Sequence, residues 1–404
     1  MKGIATVMAC LLLAACSPSG EKQAAEPAKP YEEQLRLALE TAEPGDVITV
    51  PEGTYQFTRS LTLNTSGVTL RGAGMDRSVL SFKNQVAGAE GLLVNASDFT
   101  IEDLAIEDTI GDALKVNEGK NIVIRRVRTE WTDGPSTDNG AYGIYPVQTE
   151  NTLIEGSVAI GASDAGIYVG QSRNIVVRNN RAEHNVAGIE IENSVAADVY
   201  GNVATANTGG ILVFNMPDLP VSGHSTRVFD NDITGNNTPN FGLPGSAVSG
   251  VPAGSGVVIN SNDKVEIFDN RIGDNQTANV LISSLFSAAY SSEREPAAGF
   301  DPYPETIYIY GNQFSPGGNA PDRDALEALR QAAFGADGRL PDIIWDGVVD
   351  PAKSGPDLAI CIDNGAATFM NVDAQHDYQN PSTDMTAHAC SLPKLPPVDL
   401  AAAG

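Results

Sequence analysis

Residues 187–214 read AGIEIENSVAADVYGNVATANTGGILVF and contain one complete unit of a repeat. The triplet Ile189-Glu190-Ile191 alternates apolar and charged side chains, and Val199 marks a second short strand. Asn202 and Asn207 follow, and the next triplet begins at Ile211, 22 residues after the first. Alternation over so few residues indicates short strands with one buried face.

The same unit recurs along most of the chain. Similar triplets begin at residues 114, 144, 167, 189, 211, 257 and 280, and Asn recurs at 180, 202, 231, 270 and 312 and at 185, 207, 236 and 275. Asn tolerates the left-handed backbone of tight turns and can hydrogen-bond to the next coil. A period of 22 to 23 residues with two Asn ladders therefore predicts an all-β protein, a single right-handed parallel β-helix.

The two ends of the repeat region differ from its middle. Residues 31–43 predict a helix that covers the open N-terminal end of the solenoid, where bare strand edges would invite pairing. Residues 321–335 predict an amphipathic helix that ends at Gly335. The expected organisation is a β-helix with its helical N-cap over residues 31–315 and a mixed C-terminal cap segment over residues 316–404.

The first coils carry a family likeness. Residues 47–55 read VITVPEGTY and residues 68–72 read VTLRG, and here the chain resembles the pectin-lyase-like superfamily. The likeness covers about residues 45–315 and implies the fold. The repeats also resemble those of NosD-like envelope proteins.

Composition excludes several function classes. Lys and Arg total 25 against 51 Asp and Glu, a net charge of −26. Such a surface repels phosphate backbones, so no nucleic-acid partner is expected. It also disfavours bare polyuronates and mildly favours neutral or cation-bridged glycans. Four His and four Cys form no zinc or haem motif.

The N-terminus resembles a bacterial lipoprotein signal. Residues 1–15 combine Lys2 with an apolar run too short to span a bilayer, and Leu13-Ala14-Ala15-Cys16 resembles a lipobox. The resemblance implies lipidation of Cys16, a flexible tether over residues 16–30, and anchoring in the cell envelope, at the periplasmic face or surface of the outer membrane. Membrane contact is then expected only through this anchor.

Two cysteines remain outside the signal. Cys361 and Cys390 are 29 residues apart in a compartment that is expected to be oxidising. A disulfide between them is predicted, and it would stabilise the C-terminal segment by about 3 kcal/mol in the chain-entropy model.

Outward positions of the predicted strands stack into columns. Aromatic rings beside carboxylates suit stacking on sugars and hydrogen bonding to hydroxyls, although an exposed β face also favours Tyr and Glu for its own stability. Glu190 and Glu192 point to the same side. The candidate binding face comprises Lys115, Tyr142, Tyr145, Tyr168, Glu190, Glu192 and Phe214.

Insertions flank this face at residues 131–140, 215–225, 238–254 and 285–305. Long loops on a rigid solenoid often hold sites. Asp133 and Asp138 in the first insertion are a weak Ca²⁺ candidate, because they lack EF-hand spacing. No other metal or cofactor is expected.

Residues 142–148, YGIYPVQ, resemble the site motif of mannuronan C5-epimerases. The family's acidic and imidazole groups are replaced by Tyr145, Val147 and Gln148, so the motif is degenerate. No catalytic residue is assigned; if the protein is an enzyme, a polysaccharide lyase or epimerase is favoured over a hydrolase.

Two functions remain open from the sequence. The first is a lipid-anchored protein that binds or modifies polysaccharide on its solenoid face. The alternative is a non-catalytic periplasmic or outer-membrane scaffold or maturation protein that binds another envelope protein. A monomer is expected in either case.

Overall fold

The computed structural model describes residues 30–288 and 295–400. The lipobox Cys16 and the signal and tether at residues 1–29 lie outside the described residues, as does Tyr290 of the fourth insertion. No helix among the described residues is long and apolar enough to cross a membrane.

Short strands dominate the described chain, with two α-helices, α1 (Tyr31–Glu40) and α2 (Asp324–Phe334). Three 3-10 turns lie at Ala247–Gly250, Gly355–Leu358 and Ala374–His376. The strands of the first half are β1 (Val47–Thr49), β2 (Gly53–Gln56), β3 (Arg59–Leu63), β4 (Thr69–Arg71), β5 (Ser78–Ser81), β6 (Ala87–Val94), β7 (Phe99–Glu107), β8 (Leu114–Glu130), β9 (Tyr142–Glu155), β10 (Val158–Ile160), β11 (Ala165–Gly170), β12 (Arg173–Arg178), β13 (Arg181–Glu183), β14 (Ala187–Glu192), β15 (Val195–Tyr200) and β16 (Val203–Thr205). Those of the second half are β17 (Gly209–Phe214), β18 (His224–Phe229), β19 (Asp232–Thr234), β20 (Ser255–Asn260), β21 (Asp263–Phe268), β22 (Arg271–Gly273), β23 (Ala278–Ser283), β24 (Glu305–Tyr310), β25 (Gln313–Phe314), β26 (Ile343–Trp345), β27 (Ile360–Asp363) and β28 (Phe369–Asn371).

Most coils contribute one strand to each of three parallel sheets. In the coil of residues 187–205, β14 lies in the first sheet, β15 in the second and β16 in the third. Each pairs in parallel with the equivalent strand one coil on, as β14 does with β17. The result is a parallel β-solenoid of about 12 turns, which confirms the predicted fold class.

Inward side chains fill the solenoid interior with a continuous apolar core. Ile189, Ile191, Val199 and Ala204 of one coil are all fully buried. Full burial of an Ile or Val side chain contributes about 1.5–3 kcal/mol, and this set repeats in each coil. Leu35 and Leu39 of α1 join the same core at the N-terminal end.

The two predicted Asn ladders are present at two corners of the coil. The backbone N–H of Asn202 donates to Asn231 Oδ1 at 2.9 Å, and that of Asn207 donates to Asn236 Oδ1 at 3.2 Å. The ladder side chains are almost fully buried, so each amide satisfies backbone groups that the turn would otherwise leave unpaired.

The solenoid continues beyond the boundary expected at residue 315. Strands β26 and β28 add to the first sheet, and β27 adds to the second. The sequence hides these coils because α2 and its loops separate β26 from β25. Cys361 of β27 forms a disulfide with Cys390, which ties residues 364–400 to the last coils.

The chain after Cys390 returns along the outer face of the second sheet. The backbone N–H of Leu395 donates to Glu266 at 2.8 Å, and that of Val398 donates to Asp198 at 3.1 Å. Lys394 lies 4.6 Å from the centre of the Tyr310 ring. This terminal segment covers one solenoid face and leaves the first sheet to other loops.

Candidate functional site

The first sheet aligns the candidate residues in the columns predicted from the repeat. Lys115 pairs with Tyr145, and Tyr168 pairs with Glu190. Glu192 pairs with Phe214 in the neighbouring column. The alternation of the strands sends these side chains outward.

This face is not the open surface that the sequence suggested. Tyr168, Glu190, Glu192 and Phe214 are only 4%, 1%, 8% and 6% exposed. Residues 215–223 and 237–254 lie across them and form a second apolar cluster outside the solenoid, which includes Leu212, Met216, Val248 and Val251. Outward Leu212 and Val258 would leave apolar surface in water, and the two insertions cover it.

Three tyrosines pack together at one end of this face, and two of them keep partial exposure. The ring centres of Tyr142 and Tyr145 are 4.4 Å apart, and Tyr168 lies 4.6 Å from Tyr142 and 4.9 Å from Tyr145. Lys115 Nζ lies 4.8 Å from the centre of the Tyr145 ring. Tyr142, Tyr145 and Lys115 are each partly exposed. We call Tyr142, Tyr145 and Tyr168 the tyrosine cluster.

Two carboxyl groups absent from the predicted site border the tyrosine cluster. Asp112 lies in the turn before the outward segment of β8, and its carboxyl oxygen is 3.9 Å from Lys115 Nζ. Asp164 lies in the turn before β11 and interacts with the Tyr142 hydroxyl. Both keep partial exposure. In the sequence, each of these two acids lies in the turn just before a strand of the first sheet. This shared position becomes visible only when the turns of different coils are aligned.

The environments of these two acids differ. Burial raises the pKa of Asp112 to about 6, and Lys115 partly offsets the shift. Burial also raises the pKa of Asp164, well above its usual range, and the nearby Glu192 and Asp112 add to it. Burial raises the pKa of Tyr145 to about 12, so this hydroxyl stays protonated at neutral pH.

Glu190 and Glu192 are buried next to the tyrosine cluster. The Tyr168 hydroxyl donates to Glu192 Oε1 at 2.6 Å. Burial raises the pKa of Glu192 to about 7 even with this bond. Glu190 Oε2 is buried without a hydrogen-bond partner, and burial followed by repulsion from Glu192 holds its pKa well above the usual range.

Gly170 allows the Tyr168 ring to reach Glu192. A Cβ atom at residue 170 would lie 2.2 Å from the Tyr168 hydroxyl oxygen, because the ring folds across the backbone there. Gly170 and Glu192 are paired positions on adjacent strands. Any side chain at residue 170 would displace the ring and break the Tyr168–Glu192 bond.

The weak Ca²⁺ candidate is not assembled. The Asp133 side chain is 85% exposed and pairs with Lys83 at 3.1 Å. Among the described residues, the three-carboxylate group close enough for one cation is Asp263, Asp301 and Glu305, which excludes Asp133 and Asp138. An ammonium group already bridges that set, since Lys353 contacts Asp301 and Glu305.

The degenerate epimerase motif at residues 142–148 lies in the part of β9 that belongs to the first sheet. Tyr145 points outward and is partly exposed, Val147 is nearly buried, and Gln148 is exposed with a left-handed φ of 56°. The acids that interact with Tyr145 come instead from outside the motif, and they are Asp112, Glu192 and Asp164.

Comparison with known proteins agrees with the fold. A family model for the right-handed β-helix region matches residues 66–225. No curated protein sequence matches the chain. The A-module of the mannuronan C-5 epimerase AlgE4 from Azotobacter vinelandii has a TM-score of 0.50 at 20% identity, covering 83% of this chain and 91% of that one.

Two further solved structures are similar at the same level. The A-module of AlgE6 from the same organism has a TM-score of 0.51 at 19% identity, covering 83% of this chain and 89% of that one. DFA-IIIase from Arthrobacter chlorophenolicus A6 without its lid has a TM-score of 0.50 at 12% identity, covering 82% and 91%. At identities this low the likeness shows the fold alone, a right-handed parallel β-helix.

Proposed function

We propose that the protein binds an uncharged glycan at the tyrosine cluster and cleaves or transfers a glycosidic bond by carboxyl-based acid–base catalysis. The observation that carries this is the pairing of partly exposed aromatic rings with two carboxyls, Asp112 and Asp164, whose environments separate their pKa values. The mannuronan epimerases and DFA-IIIase, which share the fold, support a carbohydrate role.

The tyrosine cluster is suited to sugar rings. Tyr142 and Tyr145 are each partly exposed, and sugar C–H faces stack on aromatic rings. The hydroxyls of these tyrosines and the carboxyl oxygens of Asp112 and Asp164 supply donors and acceptors for sugar hydroxyls.

The charge of the site favours a neutral substrate. Four acids, Asp112, Asp164, Glu190 and Glu192, surround the tyrosine cluster, and each has a raised pKa. Lys115 is the one cation within ion-pair distance of any of these four among the described residues. A uronate would add another negative charge to this set, so the geometry shifts the preference from lyase or epimerase chemistry toward glycosidic-bond chemistry.

The environments of the two carboxyls suit different roles. The pKa of Asp164 is raised well above its usual range by burial and by the nearby Glu192 and Asp112, which suits a general acid that gives a proton to the leaving oxygen. Asp112, with a pKa of about 6, is largely ionised and is placed as the base or as the group that stabilises positive charge on the sugar. Tyr168 with Glu190 and Glu192 forms the buried support beneath them.

Proton NMR of neutral polysaccharides incubated with residues 17–404 tests this proposal. New reducing-end or transferred-linkage signals are expected with the wild-type protein. Asp164→Asn and Asp112→Asn should each slow the reaction by about 10²–10⁴-fold. Asp232→Asn, which removes an exposed partner of Arg271 on the third sheet, is the matched control and should keep full activity.

Activity should fall as pH drops through about 6, because protonation of Asp112 removes the base. Unchanged neutral glycans would contradict the proposal. New unsaturated or inverted-C5 signals from acidic glycans would replace it with a lyase or epimerase. An envelope protein that co-purifies with the wild type, together with unchanged glycans, would favour the scaffold alternative.

We also propose lipid anchoring in the envelope, through Cys16. The lipobox sequence and the Cys361–Cys390 disulfide, which suits an oxidising compartment, support it. Labelling with a radioactive fatty acid should mark the wild-type chain and not Cys16→Ala. Equal labelling of both chains would contradict the anchor.

A further inference from the structure

A cavity of about 480 Å³ lies on the outer face of the first sheet, on the C-terminal side of the tyrosine cluster. Its floor consists of Phe214, Val258, Leu281 and Ile344, from strands β17, β20, β23 and β26. Its lining is chiefly aliphatic, and the size is that of a small-molecule site.

The floor makes the cavity elongated. The four strands β17, β20, β23 and β26 are successive neighbours in the first sheet. At about 4.8 Å between neighbouring strands, the floor extends roughly 14 Å. A cavity of about 480 Å³ above a floor of that length has room for an extended chain that lies along the stacked strands.

The walls are held by hydrogen bonds and tertiary packing. Asn240 Nδ2 donates to the carbonyls of Val248 and Val251 at 2.8 and 2.9 Å, which fixes the wall loop. Arg323, next to α2, donates to Gly250 O at 2.8 Å and joins this loop to the helix. Leu326 and Leu329 of α2 form the opposite wall. Both walls are therefore held in place by contacts within the protein.

Apolar side chains also lie exposed beside the cavity. Tyr378, a lining residue, is 52% exposed, and Phe286, between the lining residues Leu285 and Ser287, is 65% exposed. Arg323 lines the cavity and is partly exposed, so one cation is available to a polar head group. An apolar cavity with exposed aromatic rings and a cation matches an amphiphile.

We propose that this cavity binds a single unbranched alkyl or acyl chain. An apolar cavity offers water few hydrogen-bond partners, whereas methylene groups make van der Waals contacts with its walls. Phe214, Met216, Val251 and Val258 separate the cavity from Tyr168, since they belong to both the cavity lining and the apolar cluster over that residue. The site is therefore distinct from the tyrosine cluster and does not depend on the function proposed there.

Titration with amphiphiles of increasing chain length, below their micelle concentrations, tests the inference by calorimetry. Hexyl and octyl β-glucoside are compared with hexanoate and octanoate. Each added methylene should tighten binding about fourfold, so octyl should exceed hexyl by roughly 15-fold. Tighter glucosides would identify an acyl glycan or glycolipid as the source, and tighter carboxylates a free fatty acid beside Arg323.

Two helix variants locate the binding. Ala325 is an exposed residue of α2 that lines the cavity, and Ala328 is an exposed residue of α2 outside the lining. Ala325→Trp should fill the cavity and abolish the chain-length dependence, whereas Ala328→Trp should bind like the wild type. Thermal melting checks that both variants fold equally well.

Absence of binding, affinity independent of chain length, or equal binding by Ala325→Trp and the wild type would each overturn the proposal. Loss of glycan turnover leaves these titrations unaffected, so failure of the glycan proposal and failure of this one are distinguishable.

Discussion

The outer faces of the first and second sheets both bury acidic side chains, but in the part of the chain that the structure describes only the second sheet pairs its buried acids with a cation. On the second sheet, Arg227 lies between Asp198 at 3.3 Å and Glu266 at 3.8 Å, and the terminal segment donates a backbone N–H to each acid. On the first sheet, Glu190 and Glu192 have no cation within ion-pair distance among the described residues.

This difference separates structural acids from candidate functional ones. A buried carboxylate needs a cation or donors to stay ionised, and the second sheet supplies both. Within the described ranges, the first sheet supplies no cation to Glu190 and Glu192, so burial raises the pKa of both, which lowers stability and favours their protonated forms beside the tyrosine cluster. Strained electrostatics of this kind often mark functional sites.

Removal of the cation from the second sheet should have the largest effect on stability. Arg227→Met leaves Asp198 and Glu266, which are 4% and 3% exposed, without their shared partner. We expect a loss of about 3 kcal/mol in the free energy of unfolding, measured by urea denaturation. Arg271→Met removes a largely exposed pair with Asp232 and should cost less than about 1 kcal/mol. Similar losses in the two variants would remove the contrast between the faces.

Neutralisation of an acid on the first sheet should act in the opposite direction. Glu190→Gln keeps the shape and removes a group whose pKa is raised above 4.5 on folding, so we expect a gain in the free energy of unfolding at pH 7.5, smaller than the loss in Arg227→Met. In the wild type, the Glu190 carboxyl binds its proton more tightly in the folded state than in the unfolded state. Its contribution to the free energy of unfolding is therefore complete below pH 4.5 and declines as the pH rises above that value. The gain should therefore vanish near pH 4 in thermal melts, and a constant gain at all pH values would contradict the assignment.

Loss of one terminal-segment donor should have a smaller effect. Leu395→Pro removes the N–H that donates to Glu266, and this bond lowers the Glu266 pKa. We expect a loss of about 1.5 kcal/mol and a further rise in that pKa, followed by NMR titration. Leu392→Pro is the matched control, because the described residues show no hydrogen bond from its N–H. Equal effects of both substitutions would indicate altered chain stiffness instead.

The smallest change concerns the support beneath the tyrosine cluster. Tyr168→Phe removes the donor to Glu192 Oε1, so the pKa of Glu192 should rise above about 7, with a stability loss of about 1 kcal/mol. Carbon NMR of labelled glutamate side chains measures the shift. Tyr145→Phe is the control. The hydrogen bond to Glu192 Oε1 comes from Tyr168, so this variant should leave the Glu192 titration nearly unchanged.

Much of the architecture is readable from the sequence, because a parallel β-helix repeats one local rule. Ile189 and Ile211 occupy equivalent positions one period apart, so their strands pair and their outward neighbours Glu190 and Leu212 align. The Asn ladders follow from the same period. The columns of the candidate face follow from the same period. The Cys361–Cys390 pair was predicted on other grounds, from the two cysteines outside the signal and an oxidising compartment.

The burial of the candidate face, the charge state of its acids and the presence of Asp112 and Asp164 beside it depend on the tertiary structure. Val251 reaches the cluster over Tyr168 from an insertion with no repeat pattern, and the closure of such a loop depends on contacts distant in sequence. Asp112 and Asp164 lie in turns of different coils, and they meet beside Tyr145 only after the coils stack. Periodicity determines which residues share a face, whereas the loops that cover that face set its solvent access and therefore the pKa values of its acids.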